Sequence, residues 1–376
     1  MTIKRLSYQG FRNLSDGVFE PDRQVNVLYG RNAQGKTNLI EALWLFTGSR
    51  SFRGAKDAEL LCFGAENGRL EMDFEAAGRA QQIKINIDAN RSAELGGIPL
   101  DSPLKLSGEF CAVVFSPEHL GLVKEGPAPR RKFIDSAICQ LRPQHCAAVL
   151  EYKKALTQRN ALLKDIPFHS SLLDTLDVWD DRLVKTGAHI IFTRLRYLKR
   201  LSQKACGVYS GIAKAKEELN INYTNFEGNI YSFELNDSKA AVSAISKALK
   251  SDMDKNRALD IESGYTHAGS HRDDLQILIG GISARSYGSQ GQQRSAVLSL
   301  KLAEAAVLSE TIGEPPVLLL DDVLSELDAD RRDYLLNNIG GMQVFITCCD
   351  PLIQGALNRG AVYEIDAGKI STKIRL

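Results

Sequence analysis

A strand, a glycine-rich turn and a helix follow one another in the stretch VNVLYGRNAQGKTNLIEALW, residues 25–44. The turn fits the pattern G-x-x-x-x-G-K-T, which is typical of loops that bind nucleotide phosphates. Glycines let successive backbone N–H groups face inward around an anion, and the following helix adds the positive end of its dipole. A chance glycine-rich loop would not require these two neighbours. The stretch therefore predicts a P-loop fold with a nucleotide ligand.

The predicted nucleotide-binding residues are the loop and the start of its helix. Lys36 is expected to reach the β- and γ-phosphates, and the Thr37 hydroxyl is expected to ligate Mg²⁺. The backbone of the other residues would surround the phosphates. The predicted set for ATP is Gly30, Arg31, Asn32, Ala33, Gln34, Gly35, Lys36, Thr37 and Asn38.

A second element of a P-loop ATPase is predicted near the C-terminus. The stretch PPVLLLDD places Asp321 and Asp322 directly after a short apolar strand. We expect Asp321 to hold Mg²⁺ through its water shell and Asp322 to act as the catalytic carboxylate that orients the attacking water. Aspartates at strand ends are often only solvated or capping residues. The P-loop on the same chain favours the catalytic interpretation.

The stretch YGSQGQQRS predicts a second helix start that can bind an anion. It places Ser289, Gly291 and Gln292 at the N-terminus of a helix. The alternative is an ordinary serine-capped helix. However, a phosphate held by the first loop keeps one side open, and a turn from another copy of the chain could close that side. This interpretation predicts a homodimer with ATP between its subunits.

The chain changes character twice along its 376 residues. Residues 1–125 contain alternating strand patterns, and residues 126–262 are mostly of helical period, with Asp237 as a predicted helix cap. Strand patterns return in residues 263–376. We therefore predict an α/β ATPase head built from 1–125 and 263–376, with an inserted, mainly helical domain over 126–262.

Charge alone does not decide whether the chain binds nucleic acid. The net charge is +1, from 47 basic and 46 acidic residues, so any basic surface must be local. The stretches PRRKF and RLRYLKR are the two clusters that could neutralise DNA phosphates. A solvated helix face is an equally good interpretation of either cluster, and Arg131 could be structural. The candidate DNA contacts are Arg130, Arg131, Arg194, Arg196, Lys199 and Arg200.

Membrane insertion and disulfide chemistry are not indicated. The sequence contains no apolar run long enough to span a bilayer and no signal peptide pattern at its start. The 7 cysteines form no C-x-x-C pair. A reduced, cytosolic protein is the expectation, with the adjacent Cys348 and Cys349 as packing residues at a strand end.

The order of these motifs resembles the ABC-type ATPase heads of the SMC and recombination-repair group. The P-loop, the S-x-G-Q turn, the strand with two acids and SELD (325–328) follow in that order. Other stretches are similar to the RecF family of bacterial recombination mediators, and they span nearly the whole chain. These are GFRNL (10–14), RSFR (50–53), FSPEHL (115–120), PRRKFID (129–135), SHRDDL (270–275) and SQGQQRS (289–295).

The resemblance implies a function that spacing alone does not. RecF-like proteins bind ATP and Mg²⁺, dimerise on ATP, and bind single-stranded and duplex DNA at gaps and junctions. With RecO and RecR they help to load RecA. A cytoplasmic, nucleoid-associated protein with weak, DNA-stimulated ATPase activity is thus expected. Ser289, Gly291 and Gln292 correspond to the signature that acts in trans.

Three departures from transporter-type ATPases predict slow hydrolysis. Gln290 replaces the first glycine of the signature, Asp322 replaces a glutamate, and Thr347 stands near the position of a histidine. A transporter ATPase subunit is one alternative function, but its helical insert would be shorter and it would usually carry that histidine. A purely structural SMC-like clamp is another, but its heads are separated by hundreds of residues of heptads, which are absent here.

Overall fold

The computed structural model describes residues 1–349 and 360–375 and places the strand before the nucleotide loop inside a parallel sheet. Within those residues the strands are β1 (Thr2–Gln9), β2 (Gly17–Phe19), β3 (Val25–Tyr29), β4 (Gly68–Ala76), β5 (Arg79–Ile87), β6 (Arg91–Leu95), β7 (Ile98–Leu100), β8 (Ala112–Phe115), β9 (Leu219–Thr224), β10 (Asp274–Ile279), β11 (Ile282–Ser283), β12 (Val317–Leu320), β13 (Val344–Cys348), β14 (Ala361–Asp366) and β15 (Lys369–Arg375). The helices are α1 (Lys36–Leu45), α2 (Gly121–Lys124), α3 (Pro127–Leu141), α4 (Pro143–Asp165), α5 (Leu173–Ile212), α6 (Ser238–Ser263), α7 (Ala284–Tyr287), α8 (Gln290–Ile312) and α9 (Ala329–Asn338).

The parallel sheet brings the two predicted ATPase elements to the same end of its strands. Its strand order is β15-β14-β3-β13-β12-β8, and every neighbouring pair is parallel except β14 with β15. The strands β8 and β12 are buried along their whole length, as continuous apolar runs in parallel sheets are. Since β3 and β12 run in the same direction, the loop after β3 and the acids after β12 emerge at the same end of the sheet.

A second six-stranded sheet is antiparallel, with the order β2-β1-β4-β5-β6-β7. Buried positions alternate with more exposed ones along β4, which confirms the predicted alternation. The buried side chains of this sheet, of α1 and of the parallel sheet form one apolar cluster, including Ile3, Phe74, Leu43 and Leu319. The nucleotide loop therefore rests on a packed core.

The middle of the chain is helical, as predicted, with α3 to α6 and the small sheet β11-β10-β9. Asp237 caps α6, because its side chain accepts hydrogen bonds from the backbone N–H groups of Lys239 and Ala240. Within the residues described above, no helix combines the length and apolar character needed to cross a bilayer.

The chain divides into two compact units whose limits differ from those predicted. The head unit comprises Met1–His119 and Lys301–Leu376, and the insert unit comprises Leu120–Leu300. The strand patterns of residues 263–376 predicted that residues 263–300 belong to the head. The difference arises because β10 pairs with β9 over six residues, which places this segment in the sheet of the insert unit. The division falls inside α8.

Candidate nucleotide-binding site

The loop between β3 and α1 requires glycine at both ends of its motif. A Cβ atom on Gly30 would lie 2.2 Å from the carbonyl oxygen of Ile365, which no side chain can tolerate. Gly35 has φ +111°, a conformation that only glycine adopts without strain. Ala33 also has a positive φ, +64°. The glycines of the motif therefore allow the turn that brings the backbone around a ligand.

Lys36 is buried inside this loop. Its Nζ donates hydrogen bonds to the carbonyl oxygens of Gly30 at 2.6 Å and Arg31 at 2.8 Å, and to Cys349 Sγ at 3.3 Å. The two carbonyl oxygens carry no full charge, so anionic phosphate oxygens would be stronger acceptors for the ammonium group. The position of Lys36 fits its predicted role at the outer phosphates.

Asp321 joins the loop to the neighbouring strands. Its Oδ1 accepts hydrogen bonds from Thr37 Oγ1 and from Thr347 Oγ1, both at 2.9 Å. Burial raises the pKa of the Asp321 carboxyl, although the hydrogen bonds from Thr347 and Thr37 act in the opposite direction. A threonine hydroxyl and a carboxylate are hard oxygen donors of the kind that Mg²⁺ prefers. The pair Thr37 and Asp321 therefore fits the predicted metal site.

Asp322 lies beside this pair with an unusual backbone, φ +51°. Its backbone N–H donates to Thr347 Oγ1 at 2.8 Å. The hydroxyl of Ser325 donates to the Asp322 carbonyl oxygen at 2.7 Å and contacts its Oδ1 at 3.2 Å. Two side chains thus hold Asp322 in a strained conformation, a feature that is frequent at functional sites.

The role of Thr347 in the site was not predicted from the sequence. This residue was singled out only because it is not a histidine, yet its hydroxyl donates to the Asp321 carboxylate and accepts from the backbone N–H of Asp322. No sequence signal gives its position, which follows from the register of the sheet. Leu320 pairs with Ile346 in parallel strands, so the residues that follow each of them are neighbours.

Three other predicted residues bond through their side chains to residues outside the loop. Gln34 Oε1 accepts from the backbone N–H of Ala367 at 2.5 Å, and Asn32 Oδ1 contacts Cys349 Sγ at 2.9 Å. Asn38 Nδ2 donates to Asn13 Oδ1 at 2.6 Å. Cys349 is exposed and bonded to this site, whereas Cys348 is buried at the strand end. Phosphate contacts from these loop residues would therefore come from the backbone.

The predicted signature forms a reciprocal cap at the start of α8. Ser289 Oγ accepts from the backbone N–H of Gln292 at 3.2 Å, and Gln292 Oε1 accepts from the backbone N–H of Ser289 at 2.7 Å. Gln292 Nε2 also donates to Glu217 Oε1 at 2.7 Å. Gly291 is the second residue of the helix. Within one chain, the turn is thus the serine-capped helix of the alternative interpretation. Its role in trans stays a prediction.

Two of the candidate DNA contacts need correction. Arg130 is 4% exposed, and its guanidinium is bound by both carboxylate oxygens of Asp274, at 2.7 and 2.8 Å. Arg194 is also 4% exposed, and both oxygens of Asp135 bind it at 2.8 and 2.7 Å. A buried cation that is already bound by a carboxylate cannot reach a DNA phosphate without leaving that carboxylate unpaired. We therefore withdraw Arg130 and Arg194 as DNA contacts.

The remaining basic candidates divide into two kinds. Arg131 is half-buried and donates to the carbonyl oxygen of Asp273 at 2.7 Å, which matches the structural interpretation. Arg196, Lys199 and Arg200 are exposed along α5. Their spacing of three and four residues places them on neighbouring turns of one side of the helix. The guanidinium of Arg196 also lies 5.7 Å from the centre of the Phe192 ring. These three residues remain a predicted DNA surface.

Comparison with known proteins shows which proteins this chain is similar to. A family model described as an AAA domain matches residues 5–276. The DNA replication and repair protein RecF of Acetivibrio thermocellus is 38% identical over 352 residues, which cover 93% of this chain and 94% of that protein. A solved structure of the recombination mediator protein RecF with ATP, in the RecFOR pathway, matches with a TM-score of 0.90 and 37% identity, over 99% of this chain and 98% of that one. An Smc head domain from Pyrococcus furiosus matches with a TM-score of 0.55 and 14% identity, over 99% of this chain and 96% of that one, which is a likeness of fold alone.

Proposed function

Because this chain belongs to the RecF family of DNA replication and repair proteins, we propose that it is an ATP-dependent DNA-binding protein of recombinational repair. The main support for ATPase activity is the hydrogen bond between Thr37 and Asp321, which joins the P-loop to the two acids that follow β12. The similar RecF structure with ATP supports the same ligand.

The residues of the head unit suggest how ATP would be held and hydrolysed. Lys36 and the loop backbone would bind the phosphates, and Thr37 and Asp321 would hold Mg²⁺, which would neutralise charge on those phosphates. Asp322, held by Ser325 and Thr347, would orient the attacking water. Because an aspartate side chain is one methylene shorter than a glutamate, it holds that water less well, and misplacement can cost on the order of 100-fold in rate. Hydrolysis would thus be slow.

We extend the proposal to an ATP-closed homodimer that acts at DNA gaps. In this proposal, ATP closes the dimer on DNA at single-strand gaps, RecO and RecR assist, RecA is loaded, and hydrolysis releases the protein. DNA would stimulate the slow hydrolysis. Arg196, Lys199 and Arg200 would contribute phosphate contacts, whose affinity depends on salt. The protein would act in the cytoplasm, on the chromosome.

Replacing Ser289 with arginine is expected to block ATP-dependent dimerisation while one chain still binds ATP. The exposed Ser289 would meet the γ-phosphate of the other subunit, and an arginine would obstruct that contact and remove its hydroxyl. Light scattering with and without ATP measures the dimer, and calorimetry measures ATP binding. Ser210→Arg, at an exposed position of α5, is the matched control. A Ser289→Arg variant that still dimerises with ATP would show that this helix start has another role.

Replacing Asp322 with asparagine is expected to slow hydrolysis further, by about 100-fold, and to prolong the lifetime of the protein on gapped DNA. The amide keeps the size of the side chain but removes the negative charge that orients the water. The measurement is the dissociation of labelled protein from gapped DNA in the presence of ATP and Mg²⁺. Asp333→Asn, the same change at an exposed position of α9, is the control. If Asp322→Asn leaves DNA as fast as the wild type, hydrolysis is not the release step.

A further inference from the structure

Two sequence motifs that the proposed mechanism does not use, GFRNL and RSFR, meet beside the nucleotide loop. Three hydrogen bonds connect them in a chain. Arg53 Nη1 donates to Asn38 Oδ1 at 3.1 Å, Asn38 Nδ2 donates to Asn13 Oδ1 at 2.6 Å, and Asn13 Nδ2 donates to the carbonyl oxygen of Ala33 at 2.8 Å. Both asparagine side chains thus act as donor and acceptor, and the chain ends on the backbone of the loop.

The residue at the end of this chain, Ala33, has a strained backbone. Its φ of +64° lies in the left-handed region, which costs a non-glycine residue about 1–2 kcal/mol. Such a conformation persists only where the surroundings hold it. The Ala33 side chain is exposed, so packing of its methyl group supplies little restraint. The hydrogen bond from Asn13 to the Ala33 carbonyl is therefore a direct restraint on this part of the loop.

Asn13 is itself held in place by its turn. In the turn after β1, the backbone N–H of Leu14 donates to the Phe11 carbonyl oxygen at 3.0 Å, and the backbone N–H of Gly10 donates to Asp16 Oδ1 at 2.9 Å. Phe11 and Leu14 are buried in the core. An amide on a turn anchored in this way can fix a loop carbonyl at little further cost in conformational entropy.

The segment that carries Arg53, at the other end of the chain, is also anchored. The backbone N–H of Arg53 donates to Ser51 Oγ at 3.1 Å. The hydroxyl of Ser51 donates to Glu41, a fully buried carboxylate on α1. Arg12, from the GFRNL motif, binds the same carboxylate through Nε at 2.9 Å and Nη2 at 3.1 Å. Both motifs are therefore fixed on α1.

We infer that Asn13 is a positioning residue for the nucleotide loop. Its side chain sets the backbone conformation of Ala33, and this conformation sets the affinity of the loop for ATP. The inference rests on the proposed binding of ATP by this loop. Asn13 does not act on the reacting atoms. Its loss lowers the fraction of loops in the binding conformation, which weakens apparent affinity by that same fraction. Asp322 and its partners are untouched, so the rate at saturating ATP is conserved.

The first test replaces Asn13 with alanine in the full chain. The dissociation constant for ATP with Mg²⁺, measured by titration calorimetry, is expected to rise about 3- to 10-fold, the effect of losing one neutral hydrogen bond. KM for ATP should rise similarly, with kcat unchanged. Asp16→Ala is the control, because Asp16 stabilises the same turn without contacting the loop. Thermal unfolding without nucleotide confirms that both variants are folded.

The second test repeats Asn13→Ala in a chain that carries Ala33→Gly. Glycine adopts a positive φ without strain, so the loop then depends less on its hydrogen bond to residue 13. The effect of Asn13→Ala on ATP affinity should fall to less than about 2-fold, because most of the strain that the bond opposes is gone. An undiminished effect in this background would overturn the assignment of the strained backbone as the target.

Other outcomes separate this inference from the function on which it rests. Wild-type protein that fails to bind ATP would overturn the proposed function and this inference with it. Wild-type protein that binds ATP while Asn13→Ala binds equally well overturns the inference alone. Equal losses in Asn13→Ala and Asp16→Ala would also overturn it, because the turn as a whole, and not the Asn13 amide, would then support the loop.

Discussion

An Lys36→Ala variant is expected to bind ATP at least about 100-fold more weakly than the wild type, because each hydrogen bond to a charged group contributes about 1.5–3 kcal/mol and two phosphates lose theirs. The buried Nζ of Lys36 lies within 2.8 Å of two loop carbonyl oxygens, at the centre of the turn. Alanine removes this positive charge and leaves the loop glycines intact. Titration calorimetry with ATP and Mg²⁺ measures the change.

Two further variants sharpen the test at Lys36. Lys36→Arg keeps the charge but displaces it, so ATP binding is expected to survive while hydrolysis fails. Lys56→Ala removes an exposed lysine of the same unit and should leave both properties unchanged. Equal ATP affinity of the wild type and Lys36→Ala would contradict the assignment of this loop as the phosphate-binding site.

An Arg159→Met variant is expected to lose about 3–5 kcal/mol of the free energy of unfolding of the insert unit, the usual cost of removing one partner of a buried ion pair. Arg159 on α4 is fully buried. Its Nε donates to Asp180 Oδ1 of α5 at 2.5 Å, and its Nη1 donates to Asp260 Oδ2 of α6 at 2.7 Å. Methionine fills a similar volume but leaves two buried carboxylates without this cation. Unfolding in urea, followed by circular dichroism, measures the loss.

The matched control is the same substitution in an exposed ion pair between the same two helices. Arg182 of α5 lies 3.2 Å from Glu151 of α4, and their side chains are 53% and 47% exposed. An exposed pair of this kind contributes less than about 1 kcal/mol, so Arg182→Met should change the free energy of unfolding little. Equal stabilities of the two variants would show that Arg159 does not hold these helices together.

The nucleotide loop could be predicted from the sequence, whereas the partners of Arg130 and Arg194 could not. The loop was predicted correctly as strand, turn and helix because its shape depends on neighbouring residues, such as the glycines that permit its dihedral angles. The partners of the two arginines are remote. Arg130 binds Asp274, 144 residues away, and Arg194 binds Asp135, 59 residues away. Nothing in a basic cluster distinguishes such a buried pair from a solvated one.

By itself, the sequence determined the elements whose physics is local: the P-loop and its helix, the apolar strand that ends in two acids, the period of the helices and the cap at Asp237. Only the tertiary structure decided which remote groups meet. It placed Thr347 between Asp321 and Asp322, Asn13 on the carbonyl of Ala33, and residues 263–300 with the insert unit. The physical reason is that backbone dihedral angles and helix caps depend on residues a few positions apart, whereas the partner of a polar side chain depends on which strands and turns the fold brings within hydrogen-bonding distance.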